Sequence, residues 1–441
     1  MNRLVFATLT SFTSALLFLP TALAAQASAD SVARPISLEE AVNLARQNSP
    51  TTVQAAGTTR SNSAAVRSAW MSYIPSVSFN AGAVKPNGPA KIGEGGVLIK
   101  SSNRSQYSSG LAMNVDLFDG GNRLFRLRSA KANVNAAEAN ETLQQYNVSL
   151  NVKQQYYAVL AARESEAAAQ AQLDQATEQL KTASAKVAAG AATKSDSLRA
   201  IIQVGNAQLA LLQARNNLNV ANASLTRLVA TPFTVTASAG DTTESIELSA
   251  DSVQIAALAL RGPAVQQAQQ AYSAAHANVR VSLTSYLPTI GLRFNRVGNG
   301  FDPYYGWSDP YAYSQTLSLN LSFPFFNQGA REEQIVRSRV AEDNAEAQLR
   351  DMRLAAQQQL TQYLSAFRTA EQRIQIQLAS VEAAEEDLRV QQRRYQLGAS
   401  TFLDVLSSQV TLNQARSALI QARFDARVAK AQIETLTGKD M

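Results

Sequence analysis

The chain reads Tyr107-Ser-Ser-Gly-Leu-Ala-Met-Asn-Val-Asp-Leu-Phe-Asp-Gly-Gly-Asn-Arg123, and it repeats this pattern later as Tyr313-Ser-Gln-Thr-Leu-Ser-Leu-Asn-Leu-Ser-Phe-Pro-Phe-Phe-Asn-Gln-Gly-Ala-Arg331. From Asp119 in the first copy and Asn327 in the second, the two run in register without a gap for the rest of each copy. A duplication this extensive indicates that each half of the chain is one structural unit.

Both copies continue with a long stretch that lacks glycine and proline and is dense in Ala, Gln, Leu, Glu, Arg and Lys. These strong helix formers predict helices over residues 122–189 and 330–397, each on the order of 100 Å long. Helices of compact domains are several times shorter, so the pattern indicates a coiled-coil-like assembly and not a globular enzyme.

Each long helix is followed by a return helix. Gly190 and Gly398 end the long helices in the manner of C′ glycines. Thr193-Lys-Ser-Asp196 and Thr401-Phe-Leu-Asp404 then have the spacing of a capping box. We therefore predict one antiparallel helical hairpin per copy, with return helices over about 195–229 and 403–437.

At the other end of each copy the sequence period changes to two. Apolar residues alternate with small or polar ones over four segments, at about 74–84, 107–118, 287–297 and 313–325. Such alternation is typical of outer-membrane β-strands, although a half-buried soluble sheet shows it as well. The long polar loops over 85–106 and 297–312, the second with Tyr304, Tyr305, Trp307 and Tyr311, favour the membrane.

The number of strands has a consequence for assembly. One chain supplies four, and an open four-stranded sheet in lipid leaves its edges unsatisfied. Closure of a membrane barrel needs at least about eight strands. If the chain spans a membrane, it must therefore oligomerise.

The N-terminus and the composition restrict the function further. Met1-Asn-Arg3, an apolar stretch over 4–19 and Ala22-Leu-Ala24 predict a signal peptide over 1–24. The chain has no cysteine and a single histidine, His276, which disfavours disulfides, thiol chemistry and metal sites. The scattered basic residues form no stripe with aromatics, so we expect no nucleic-acid partner. We also expect no catalytic residue and no cofactor.

Together these patterns divide the chain into a first repeat over 36–230, a linker over 231–249 and a second repeat over 250–438. An exported chain of this organisation resembles the TolC-like outer-membrane efflux proteins. Its local signatures are Leu38-Glu-Glu-Ala-Val-Asn-Leu-Ala45, Tyr73-Ile-Pro75, Leu117-Phe-Asp-Gly-Gly121 and Arg394-Tyr-Gln-Leu-Gly-Ala-Ser-Thr-Phe-Leu-Asp-Val-Leu406.

The resemblance implies a homotrimer whose twelve strands form one barrel in outer-membrane lipid. The helices would continue this barrel as a tunnel through the periplasm, and the linker would help to form a belt around it. The hairpin tips, marked by Gly190 and Gly398, would dock a periplasmic adaptor and an inner-membrane pump or ABC exporter.

The resemblance also implies a gate at the tips. Asp196 matches the gating acid of the first hairpin, Asp404 an acid of the constriction, and Tyr395 the gating tyrosine. The family can carry an arginine where this chain has Ser400, and a second acid where it has Ser407. An acid in the first turn of a helix also complements the helix dipole, so a capping role for both aspartates is an equal alternative.

Two points of the gate stay open. Lys194 lies close in sequence to Asp196 and either replaces the missing arginine or points to solvent. Tyr395 either gates the tunnel or packs within its hairpin.

The leading hypothesis for function is a passive outer-membrane exit duct of a tripartite efflux system that exports small molecules. A duct of a type I protein-secretion system would share every feature described so far. An alternative of another class is a periplasmic coiled-coil adaptor or structural protein that spans no membrane.

Overall fold

The computed structural model describes residues 33–85, 91–92, 98–99, 104–238, 252–301 and 311–439. The predicted signal peptide, most of the linker and the loop aromatics Tyr304, Tyr305 and Trp307 lie outside these residues. Within them, no helix has the length and the apolar character that crossing a membrane requires.

Four helices form the two predicted hairpins. The long helices α3 (Asn122–Ala188) and α7 (Ala330–Gln396) have 67 residues each, and the return helices α4 (Lys194–Val229) and α8 (Phe402–Thr437) have 36 each. At 1.5 Å per residue, each long helix spans about 100 Å. Since each return helix is about half as long, α3 and α7 extend well beyond the hairpins towards the sheet.

The four predicted strands form a single antiparallel sheet in the order β2-β5-β7-β8. Their bounds are Ser76–Val84, Gln106–Phe118, Thr289–Gly300 and Tyr311–Ser322. Strands β2 and β7 begin just after Pro75 and Pro288, which is later than the alternation alone predicts. Strand β8 ends before Pro324, which is earlier than predicted. Proline has no N–H to donate to a ladder, which accounts for these ends.

The sheet has one apolar and one polar face. Cross-strand partners on the first face include Val77 with Met113, Met113 with Phe294, and Phe294 with Leu317. On the other face, Asn114 pairs with Arg293, and the Arg293 Nε donates a hydrogen bond of 2.6 Å to the Asn114 side chain. Register therefore brings the alternation of all four strands into phase, as a wall between lipid and water requires.

The turn from sheet to long helix explains the Asp-Gly-Gly motif of the first copy. The Asp119 carboxylate accepts hydrogen bonds from the backbone N–H groups of Gly121 (3.1 Å) and Arg123 (2.7 Å) and pairs with the Arg123 side chain at 3.1 Å. The Arg123 guanidinium in turn lies 5.0 Å from the ring centre of Tyr73, just before β2. The second copy has Asn327 at the position of Asp119.

Several shorter elements were not predicted. They are β1 (Arg34–Ile36), α1 (Leu38–Asn48), α2 (Pro50–Met71), a small hairpin of β3 (Lys91–Ile92) and β4 (Leu98–Ile99), β6 (Val235–Ala237), α5 (Ser252–Ala259) and α6 (Pro263–Leu283). Helix α2 packs on α3, and α6 packs on both α3 and α7. Each repeat therefore adds two helices to its hairpin, and the longer of the two, α2 or α6, begins with a proline at its first turn.

The main core lies halfway along the helices. Strand β1 pairs in parallel with β6, which connects the start of the described chain to the segment between the repeats. The fully buried Tyr156 of α3 donates to the Ile36 carbonyl and accepts from the Ser238 N–H, each at 3.0 Å. These two bonds fix both short strands against the first hairpin.

The turn between α5 and α6 is packed too closely for any side chain. A Cβ on Gly262 would lie 1.9 Å from the carbonyl oxygen of Leu436 in α8. We expect Gly262→Ala to lower the free energy of unfolding by about 1–3 kcal/mol or more. Gly205→Ala is the matched control, because its Cβ in α4 would meet open space and should stabilise the helix by about 0.5–1 kcal/mol. Thermal melting of the two variants checks both signs.

Candidate functional site at the hairpin tips

Each long helix ends in a Schellman motif. Gly190 has φ 72° and Gly398 has φ 77°, in the left-handed region that glycine tolerates. The following N–H groups, of Ala191 and Ala399, donate 2.8 Å bonds back to the last helical turn. The two glycines therefore fix the reversal of both hairpins, and this geometry by itself assigns them no docking role.

Both aspartates of the tips form capping boxes. Asp196 Oδ2 accepts from the N–H (3.1 Å) and the hydroxyl (2.9 Å) of Thr193, and its own N–H donates to that hydroxyl at 3.3 Å. Asp404 and Thr401 repeat the arrangement at 2.8, 2.8 and 3.3 Å. The capping role of both acids is thus present in the fold.

Hydrogen bonds from the backbone N–H and the hydroxyl of Thr401 hold the pKa of the Asp404 carboxyl below its ordinary value of 3.8. The positive charge of Arg394 lowers this pKa further, by a smaller amount. A carboxyl whose pKa is lower in the folded state contributes stability above its unfolded pKa, and loses it as the pH falls through the folded value. We therefore expect Asp404→Asn to speed amide exchange of the first turn of α8 more strongly at pH 7 than at pH 3, which lies below the ordinary pKa of the carboxyl. Asp425→Asn, on the surface of the same helix, should leave this turn unchanged at both pH values.

Tyr395 lies between the two hairpins. It is only 9% exposed and packs edge-on against Phe402, with ring centres 5.8 Å apart. Burial, and then the negative charge of Asp196 on the other hairpin, raise the pKa of the Tyr395 hydroxyl. The phenol therefore stays protonated at neutral pH, and its buried oxygen has no hydrogen-bond partner among the described residues.

Lys186, which was not predicted as a site residue from the sequence, lies beside Tyr395. From the last turn of α3, its Nζ lies 4.3 Å from the ring centre of Tyr395 and also donates a hydrogen bond to the Tyr395 carbonyl oxygen. One side chain therefore joins the ends of the two long helices. The repeat offers a weak signal for it, since Lys186 aligns with Arg394, the neighbour of Tyr395.

The remaining gate candidates have local surroundings. The Ser400 hydroxyl donates to the Gln391 carbonyl of its own hairpin at 3.2 Å. Lys194 is exposed, and it forms no ion pair with Asp196 in the described part of the chain. The cation that reaches across the tips is therefore Lys186.

The tips of the two hairpins pack together through small and apolar side chains, and a cavity lies beside this contact. Ala183 and Ala200 of the first hairpin pack with Leu388 and Val405 of the second. Beside them lies a cavity of about 470 Å³, bordered by Tyr395 together with Gln179, Glu178, Thr182, Gln392 and Phe402. Among the described residues, no group of three or more His, Asp or Glu side chains is placed to hold a metal ion. These contacts pack the tips of the two hairpins against each other.

The family model described as "Outer membrane efflux protein" matches two segments of the chain, residues 41–231 and 255–439. The chain belongs to the outer membrane efflux protein family. It is accordingly an outer-membrane protein whose helices extend into the periplasm, and it functions as an efflux channel. This is a family of transport proteins, not of enzymes. The alternative of a periplasmic adaptor is thereby wrong.

Relatives and solved structures agree with the family. The chain is similar to the pyoverdine export outer membrane protein OpmQ of Pseudomonas putida, with 28% identity over 94% of this chain and 88% of the relative. It is 25% identical to OpmQ of Pseudomonas aeruginosa over 80% of this chain and 74% of the relative. The crystal structure of CusC has the same fold, with a TM-score of 0.77, 17% identity and coverage of 95% and 96% of the two chains. The predicted fold class is confirmed.

Proposed function

We propose that three copies of this chain form one continuous duct, which serves as the passive exit of a tripartite system that exports small molecules. A periplasmic adaptor and an inner-membrane pump would supply the cargo and the energy. The open sheet is the observation that carries this proposal. Strands β2 and β8 are its edges, and neither edge has a partner within the described chain.

The backbone groups along the two sheet edges need hydrogen-bond partners. In a bilayer, every backbone N–H and C=O group must be satisfied within protein, so β2 of one copy must pair with β8 of another. Three copies give twelve strands, which is within the range of closed outer-membrane barrels. The helices attached to these strands would then stand side by side as a second barrel of about 100 Å.

We further propose that the hairpin tips form the gate of this duct. Asp196 and Tyr395 lie on different hairpins and interact electrostatically, and Lys186 joins the same two hairpins. In a trimer, Asp196 and Asp404 would each form a ring of three carboxylates, which favours cations in a pore. Lys194 and Ser400 would line this constriction, and the exposed turns at Gly190 and Gly398 would face the adaptor.

The cargo class is supported by relatives. Two relatives named for pyoverdine export align with most of this chain, which favours small molecules. A duct for type I protein secretion is the second candidate, because it would share the strands, the helical hairpins and the tips described above.

Reconstitution and deletion test the proposal together. Purified protein in planar bilayers should form channels that are mostly closed at rest, and it should co-purify with an adaptor encoded beside its gene. Deletion of the gene should cause accumulation of small toxic compounds, with protein secretion unchanged. Loss of one secreted protein with unchanged tolerance to small compounds would instead establish the secretion duct, and absence of channels would contradict both.

A further inference from the structure

The outward face of the sheet changes character along β7. From its periplasmic end, the side chains on the apolar face are Ile290, Leu292, Phe294 and then Arg296. Along the adjacent β8 the same face carries Leu321, Leu319 and Leu317, followed by Gln315 opposite Arg296 and by Tyr313. The apolar band therefore ends at the level of Arg296 on both strands.

In an outer-membrane barrel, this level would lie at the external border of the lipid. Strand β7 follows α6 at Thr289 and ends at Gly300, so the end that carries Arg296 is remote from the periplasmic helices. An arginine on the lipid face costs about 2–4 kcal/mol at the bilayer midplane but only about 0–1 kcal/mol near an interface. An arginine–tyrosine pair just beyond an apolar band is typical of the interface, where aromatic belts lie.

The guanidinium of Arg296 is accessible to an anion from outside the protein. Its side chain is exposed, and its guanidinium lies 4.6 Å from the ring centre of Tyr313. No carboxylate lies within ion-pair distance of Arg296 in the residues that the structure describes. Arg293, three residues earlier, lies on the opposite face and is engaged by Asn114. The two arginines of one strand therefore differ in face and in partner.

We propose that Arg296, stacked on Tyr313, binds a phosphate group of the phosphorylated glycolipid of the outer leaflet, lipid A. A guanidinium presents a planar fork of donors that matches phosphate oxygens in a bidentate manner. Stacking on Tyr313 orients this plane while leaving its edge open to the headgroup region. In a closed barrel the site recurs once per copy and ties the channel to its lipid neighbours. This proposal depends on the outer-membrane location and not on the gate.

Native mass spectrometry of the extracted full-length oligomer tests the site. Bisphosphorylated lipid A is titrated against the wild type, Arg296→Gln and Arg293→Gln, with lipid A stripped of phosphate as a parallel ligand. We expect Arg296→Gln to weaken binding of bisphosphorylated lipid A about tenfold, the loss expected for one charged hydrogen-bonding group. Arg293→Gln should bind like the wild type, and Tyr313→Leu should fall between the two.

The outcomes are separable. Equal binding by Arg296→Gln and the wild type, or equal binding of lipid A with and without phosphate, would overturn the proposal. Tighter retention of phosphatidylglycerol than of lipid A at this position would overturn it as well, since it would assign the site to a phospholipid. Oligomer mass, read in the same spectra, shows whether a variant has failed to assemble, and Arg296→Lys then provides a second test with the charge preserved.

Discussion

Replacement of Lys186 by methionine is expected to raise the mean conductance of the channel in planar bilayers at least about tenfold. Methionine keeps much of the side-chain volume but removes a charged hydrogen bond to the Tyr395 carbonyl and a cation–π contact with its ring. Each such interaction contributes about 1–3 kcal/mol. A loss of about 1.4 kcal/mol in total from the closed oligomer shifts an open–closed equilibrium tenfold. Each copy contributes one such contact, so about tenfold is the smallest shift expected.

Lys181→Met is the matched control for this experiment. Lys181 lies on the same helix, is 79% exposed at its side chain and pairs with the equally exposed Glu178 at 3.9 Å. Exposed pairs of this kind contribute little, so the conductance should stay at the wild-type value. Lys186→Arg should retain most of the closure. If Lys186→Met conducts like Lys181→Met in folded oligomers, the contact between the hairpins does not hold the gate.

Leu319→Lys is expected to abolish assembly in the outer membrane. Leu319 lies in the middle of the apolar face of β8 and is 66% exposed in the single chain. A lysine facing lipid near the midplane costs about 2–4 kcal/mol, hence about 6–12 kcal/mol in a trimer. This is comparable with the stability of a whole domain. The oligomer should disappear from the outer-membrane fraction, as measured by gel electrophoresis of unheated samples.

Ser318→Lys provides the control on the adjacent residue of the same strand. Ser318 lies on the polar face, opposite Arg293, and a lysine there would face the water-filled interior. The oligomer should form in normal amounts. Equal tolerance of both lysines would mean that the sheet does not face lipid on its apolar side.

The sequence permits prediction of the parts of the fold that depend on local periodicity. The strands around Leu111 and Leu317 alternate with period two, and the long helices lack any breaker until Gly190 and Gly398. Both signals are local, because each depends only on residues that are close together in the sequence. Because the chain is duplicated, each signal occurs twice.

The elements that the sequence did not reveal depend on distant partners. Strand β1 has three residues and no alternation, and it becomes a strand only because β6 lies beside it. Helices α2 and α6 are rich in Ser, Thr, Ala and Gln, without a marked apolar stripe. Their packing on α3 and α7, more than their own pattern, accounts for their place in the fold.

The tips illustrate the same limit for function. Asp196 and Asp404 could be located from the spacing of their capping boxes, because a cap is a local structure. Lys186 could not, because its partner Tyr395 is 209 residues away in sequence. The two copies differ at this point, with valine at 187 where the second copy has tyrosine, and this difference marks the region but not the contact.

The mass of the protein extracted intact from outer membranes tests the central claim most directly. Four strands per chain, with both sheet edges open, require partners for closure in lipid. Native mass spectrometry in mild detergent should give one species with three times the mass of the mature chain. A monomer recovered from the soluble periplasmic fraction, or an assembly of any other copy number, would contradict the account.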